Sequence, residues 1–141
     1  MNILISACLL GQYCRYDGKT KVYPQVQALL NRDDIHLIPV CPEQAGGLAT
    51  PRPAAERQGS RVVTANGSEV TAQYQRGAEA ALYWARLFHC TKAILKEKSP
   101  SCGHGQIYDG TFSRTLTVGD GVTAALLRAE GLEIIGESDL P

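Results

Sequence analysis

The sequence predicts an α/β fold, a mainly parallel sheet with helices packed on both faces. Three observations carry this expectation. Short apolar runs recur at residues 2–7, 36–40, 92–95 and 132–135, each the length of a buried strand. Segments with apolar residues at helical spacing separate them, the pattern of alternating strands and helices. The 141 residues suit one ordinary domain, residues 1–141, which buries roughly 70% of the surface its unfolded chain exposes. Such a chain needs no disulfide or structural metal merely to fold.

Taken in order, Asn2 to Ala7 reads as a buried strand and Cys8 to Lys21, rich in Gly and polar residues, as a loop. Tyr23 to Arg32 carries Val26, Leu29 and Leu30 at helical spacing. His36 to Val40 is a second strand, ending at Cys41-Pro42. Gly46, Gly47, Pro51 and Pro53 make the following stretch irregular. Arg61 to Thr64 and Ser68 to Val70 flank Ala65-Asn66-Gly67, which predicts a hairpin with Asn-Gly at its turn. The clearest helix runs from Ala72 to His89, with Tyr74, Gly77, Ala78, Ala81, Leu82, Ala85 and Phe88 on one face and Thr71 as its expected N-cap. Lys92 to Leu95 is a third strand. Val122 to Glu130 is a helix stopped by Gly131, and Leu132 to Ile135 is a fourth strand. Between them, Lys96 to Asp120 is poor in apolar residues and punctuated by Gly103, Gly105, Gly110 and Gly119. Loops of that length in a compact domain are usually functional or disordered.

Composition narrows the function. Lys plus Arg number 14 and Asp plus Glu number 14, so the net charge is zero, which argues against a nucleic-acid or anionic-membrane surface. No apolar run approaches the ~20 residues of a membrane span. Met1 to Ile5 lacks the basic region of a secretory signal and enters a strand pattern at once, so a cytoplasmic location is expected. The five cysteines, at 8, 14, 41, 90 and 102, are odd in number and irregular in spacing. In a reducing compartment they are core thiols, metal ligands or catalysts rather than a disulfide framework.

Their positions favour a site. Ligands of an open parallel sheet bind beyond the carboxyl ends of its strands. Cys8 follows the first strand, Cys41 the second, and Cys102 lies a few residues past the third. Three thiols from distant segments are thus expected at one edge; the alternative is that Cys8 and Cys41 are buried small side chains. No Cys-x-x-Cys pair is present. Three thiolates suit zinc with water in its fourth place, or a cubane cluster with one iron free, and the spacing leaves that choice open. Glu43, two residues past Cys41, is a candidate general acid or base. Ser99, Ser101 and Gly103 surround Cys102 and offer hydroxyls and an approachable backbone. Arg52, between two prolines, faces a substrate carbonyl or pairs with Glu56. Cys14 is a ligand, a sulfur acceptor or a bystander, and Cys90, closing the long helix, is expected to be a packed thiol.

These segments together resemble the thiouracil desulfidase family, formerly a domain of unknown function. The resemblance rests on Ser6-Ala7-Cys8-Leu9-Leu10-Gly11 with Cys14-Arg15-Tyr16-Asp17-Gly18, on Cys41-Pro42-Glu43, and on Gly46-Gly47-Leu48 with Thr50-Pro51-Arg52-Pro53. It continues through Lys98-Ser99-Pro100-Ser101-Cys102-Gly103, Tyr108-Asp109-Gly110-Thr111-Phe112 and Gly121 to Leu127. It implies a Rossmann-like three-layer αβα sandwich with a mainly parallel sheet of about four to five strands. It also implies a [4Fe-4S] cluster held by three cysteines, and non-redox removal of sulfur from a thiolated pyrimidine. Ligand roles then fall on Cys8, Cys41 and Cys102, with Cys14 as a possible substitute or sulfur acceptor. The acid/base role falls on Glu43, a serine role on Ser101 or Ser99, and substrate contacts on Arg52 and Gly103. The competing readings are a zinc-dependent hydrolase at the same cysteines and a non-catalytic iron-sulfur sensor.

Overall fold

A computed structural model describes residues 1–141. In chain order the elements are β1 (Asn2–Ser6), a 3-10 turn (Ala7–Leu10), α1 (Pro24–Leu30), β2 (His36–Val40), α2 (Pro42–Ala45), β3 (Ala55–Gln58) and β4 (Arg61–Thr64). They continue with α3 (Thr71–Leu87), β5 (Lys92–Leu95), β6 (Gln106–Tyr108), β7 (Leu116–Val118), α4 (Val122–Ala129), β8 (Glu133–Gly136) and a closing 3-10 turn (Glu137–Asp139).

The four apolar runs build one four-stranded sheet in the order β2-β1-β5-β8, and every pairing in it is parallel. Side chains alternate across a strand, so β1 feeds two cores. Leu4 packs with Ala81, Leu82 and Ala85 of α3 and Ala124 and Leu127 of α4. Ile3 and Ile5 pack on the other face with Leu9, Tyr23 and Val26. Leu4 and Ile5 are fully buried, each contributing roughly 1.5–3 kcal/mol of apolar burial. The sheet therefore lies between α3 and α4 on one side and α1 on the other, the mixed α/β architecture expected. Its order changes direction at β1, which neighbours both β2 and β5, and this switch point opens a crevice at the strands' carboxyl ends.

Four local expectations change. The hairpin partner of β4 is β3, paired in register from Ala55↔Thr64 to Gln58↔Arg61. Ser68 to Val70 contributes only a bridge at Val63↔Glu69 beyond the expected Asn66-Gly67 turn. The short, charged β3 carries no periodicity from which a strand is legible. Thr71 is the first helical residue of α3 rather than its N-cap, and its hydroxyl accepts the Val62 N–H at 2.9 Å, tying helix to hairpin. The long loop contains an antiparallel ribbon, β6–β7. Finally, α2 forms directly after Cys41, begun by Pro42 at its first position.

Two glycines set where α2 lies. A Cβ on Gly77 would sit 1.9 Å from the Pro42 carbonyl oxygen, and one on Gly46 would sit 1.9 Å from that of Gln73. Only bare backbone lets α2 approach α3 this closely, and α2 carries Cys41 and Glu43 to the sheet edge.

Candidate active site

A cavity of about 480 Å³ opens at the carboxyl ends of β1, β2 and β5, within the range of small-molecule sites. Cys8, Cys14, Cys41 and Cys102 all line it. Cys8 sits in the 3-10 turn after β1, which Gly11 ends with φ 92°, a left-handed conformation suited to glycine. Cys41 stands at the N-terminus of α2. Cys102 lies in a tight turn in which Ser99 Oγ accepts the N–H groups of Ser101 and Cys102, both at 3.1 Å. All five thiols are free. Cys90 lies in the apolar core among α3, α4 and the sheet, away from the cavity, as a packed thiol.

The thiols differ in acidity. Side-chain hydrogen bonding with Cys41 and Cys8 pushes the Cys14 pKa up, with burial adding to the effect, and Cys41 Sγ also donates to Cys14 O at 3.7 Å. The Cys14 hydrogen bond lowers Cys8 against the opposing effect of burial, and Lys96 nearby lowers it further. The same donor brings Cys41 down to about 7, again against burial, with the Gln44 N–H assisting. Burial pushes Cys102 up, and the Glu43 charge raises it further. The thiolate-prone members are Cys8 and Cys41, while Cys14 keeps its proton.

Glu43 and Arg52 form a mostly buried ion pair, with side-chain exposures of 14% and 7%. Arg52 Nη2 and Nε donate to the same carboxylate oxygen, Glu43 Oε2, at 2.6 and 3.2 Å. Arg52 also donates from Nη2 to Cys14 O at 2.9 Å, and from Nη1 to Thr50 Oγ1 at 3.0 Å and Ala49 O at 3.2 Å. A guanidinium has five N–H groups, and five bonds engage them. Arg52 therefore holds Glu43 and the Cys14 loop; it neither pairs with Glu56 nor has a donor left for substrate. Glu43 Oε1 has no partner within the chain, and no side-chain oxygen is both buried and unpartnered, so Oε1 is the accessible one.

The two serines separate. Ser99 lines the cavity, and its hydroxyl hydrogen is not used by the chain. Ser101 is fully buried and outside it, its hydroxyl paired with Thr123 Oγ1 at 2.8 Å at the start of α4. Gly103 also lies outside the lining. Its N–H goes to Ser99 O at 2.9 Å, and a Cβ there would meet that oxygen at 2.7 Å. Its lack of a side chain lets the turn pack this closely. Sequence reading missed Lys96, which faces the cavity beside Cys8 and is paired with Glu137 at 2.8 Å. It also missed Glu56, Tyr74 and Arg114, all on the lining. None of these belongs to a spacing that marks a site.

The donor set fits an iron-sulfur cluster. Soft thiols from three strand ends line one open volume, and thiolate sulfur is the ligand such clusters take. No helix is long and apolar enough to cross a membrane.

Comparison with known proteins agrees. A family model described as 2-thiouracil desulfurase matches residues 3–139. The Bacillus subtilis (strain 168) protein YbbK, described as uncharacterized, is 42% identical over 148 residues, covering 98% of this chain and 97% of its own. A solved structure, the [4Fe-4S]-dependent thiouracil desulfidase TudS, is 49% identical and superposes with a TM-score of 0.92. The match covers 99% of this chain and 93% of that one.

Proposed function

The chain belongs to the 2-thiouracil desulfurase family, and from that premise we propose that it is a [4Fe-4S]-dependent enzyme that removes sulfur from a thiolated pyrimidine, giving the oxo-base and hydrogen sulfide without net redox change. The observation that carries this reading is the meeting of four thiols and a half-free carboxylate on one cavity. Cys8, Cys41 and Cys102 would hold the cluster. Cys14, protonated and hydrogen-bonded to two of them, is the remaining thiol. Residues 1–141 are read as one iron-sulfur desulfidase domain, supported by the family match across 3–139, and the free thiols suit the reducing cytoplasm.

Bound by three thiolates, such a cluster supplies an open iron, a soft Lewis acid for a thiocarbonyl sulfur. The chain's own groups do the rest. Arg52 fixes Glu43 through Oε2, so Oε1 faces the cavity as the base. There it takes a proton from water as the water oxygen attacks the ring carbon bearing sulfur. The Ser99 hydroxyl donates to the negative charge that develops on the ring, and being pinned through its oxygen it needs little reorganisation. Glu43 returns its proton as the carbon-sulfur bond breaks and hydrosulfide leaves.

The test is anaerobic reconstitution with iron and sulfide, followed by assay of sulfide release from 2-thiouracil. Glu43→Ala should retain its iron and lose about 10²–10⁴ in kcat, the usual worth of a positioned general base. Full activity in that variant would remove Glu43 from the mechanism. A loaded, brown enzyme that releases no sulfide would exclude the substrate class.

A further inference from the structure

The tip of the β6–β7 ribbon forms one wall of the cavity, through Tyr108, Phe112 and Arg114. Its backbone is unusual. Phe112 has φ 57° and Arg114 φ 60°, a left-handed conformation that side-chain-bearing residues rarely adopt. Such residues persist where their surroundings over-determine them, and they cluster at ligand clamps and active sites.

Here β3 supplies that constraint. The Glu56 side chain reaches the tip and accepts two main-chain N–H groups on Oε1, from Gly110 at 2.9 Å and Phe112 at 3.1 Å. Glu56 is only 9% exposed and forms no ion pair. Burying an unpaired carboxylate is costly, and its hydrogen bonds to backbone N–H groups are what offset that cost. Gln58 Nε2 adds a bond to Gly110 O at 2.8 Å. Gly110 fits because its φ is 92° and a Cβ would meet the Gln58 side chain at 2.7 Å and Arg57 O at 3.0 Å. Three hydrogen bonds thus grip the main chain of the tip and leave the Phe112 ring, 37% exposed, on the cavity lining.

We infer that Phe112 is a specificity-determining contact that stacks on the plane of the thiolated ring, and that Glu56 is the positioning residue that holds it there through the hairpin backbone. This rests on the desulfidase reading and says how that site recognises a planar heterocycle. A flat aromatic face is the natural partner of a pyrimidine, because every base presents a π-face to stack upon.

The experiment uses the loaded holoenzyme with 2-thiouracil. Phe112→Leu keeps an apolar side chain without an aromatic face. It should raise KM about tenfold with kcat within about twofold, the pattern of lost ground-state binding. Phe112→Tyr should restore the wild-type KM. Glu56→Ala should reproduce the rise, whereas Glu56→Gln, whose amide oxygen accepts the same two N–H groups, should stay near wild type. A second readout needs no turnover. Trypsin cutting after Arg114 should be slowed by uracil in the wild type and not in Glu56→Ala. Wild-type enzyme that releases no sulfide while uracil still protects Arg114 would refute the reaction and leave the wall standing. An unchanged KM in Phe112→Leu, or a Glu56→Gln variant as impaired as Glu56→Ala, would overturn the inference. The first outcome leaves no stacking contact; the second makes the charge of Glu56, not its acceptor geometry, the working feature.

Discussion

Gly77→Ala separates what the α3 helix wants in isolation from what the site requires. Helix propensity alone favours alanine over glycine by about 1 kcal/mol at an interior position. The tertiary contact opposes this. The new Cβ would lie 1.9 Å from the Pro42 carbonyl oxygen, 2.6 Å from its carbon and 3.2 Å from its Cα. Backbone has no rotamer to change, so α2 must retreat by roughly 1.5 Å to bring the oxygen to an ordinary contact near 3.4 Å. Overpacking of this kind costs about 1–3 kcal/mol, and a backbone clash belongs at the upper end. Against the propensity gain, the net loss is about 2 kcal/mol, or a melting temperature lower by about 7 °C for a domain of this size. Because α2 follows directly on Cys41 and contains Glu43, the retreat also misplaces a ligand and the base. A 1 Å misplacement costs about 10²-fold in rate. Calorimetry of the apo-protein and sulfide-release kinetics of the loaded enzyme give the two readouts. A variant that melts at or above the wild-type temperature with unchanged kcat would refute the close-approach argument.

The remaining expectations concern the site itself. Arg52→Met should cost about 3–5 kcal/mol of stability by leaving a mostly buried carboxylate unpaired, and a Glu43→Gln/Arg52→Met pair should recover part of that loss in a double-mutant cycle by chemical denaturation. Cys102→Ala should assemble little iron, while Cys14→Ala should assemble it with a [4Fe-4S] spectrum; iron content and electron paramagnetic resonance of the reduced protein decide between them. In the apo-protein, alkylation of Cys41 should rise with pH through about 7, whereas Cys102 should stay inert until unfolding. The sign follows from linkage. The folded Cys41 pKa lies below the ordinary thiol value, so its contribution to apo stability is complete above that value and is lost as pH falls through about 7.

Local signals made the frame of this protein legible. The four apolar runs became the four parallel strands because strands covered by helices on both faces are apolar through most of their length, and that pattern needs no partner to be recognised. The Ala-rich face of α3 was visible for a similar reason, since its helical period is written in the residues themselves. Strand ends placed Cys8, Cys41 and Cys102 at one edge before any contact was known, and the structure puts all three on one cavity. The short strand β3 and the ribbon β6–β7 were not legible. Each exists through pairing with a distant or weakly patterned partner, and neither has a period of its own.

The sequence by itself determined the α/β class and the set of thiols, with Glu43 beside one of them, because strand periodicity and topology dictate where chain segments surface. Tertiary structure alone decided how the polar groups are shared. Arg52 is committed to Glu43 and Cys14 rather than to Glu56 or substrate. Ser99 faces the cavity while Ser101 is buried against Thr123. Glu56 is left to grip the hairpin tip. Hydrogen-bond partners are chosen by position in space, over separations as different as 2 and 56 residues, and no spacing along the chain encodes them.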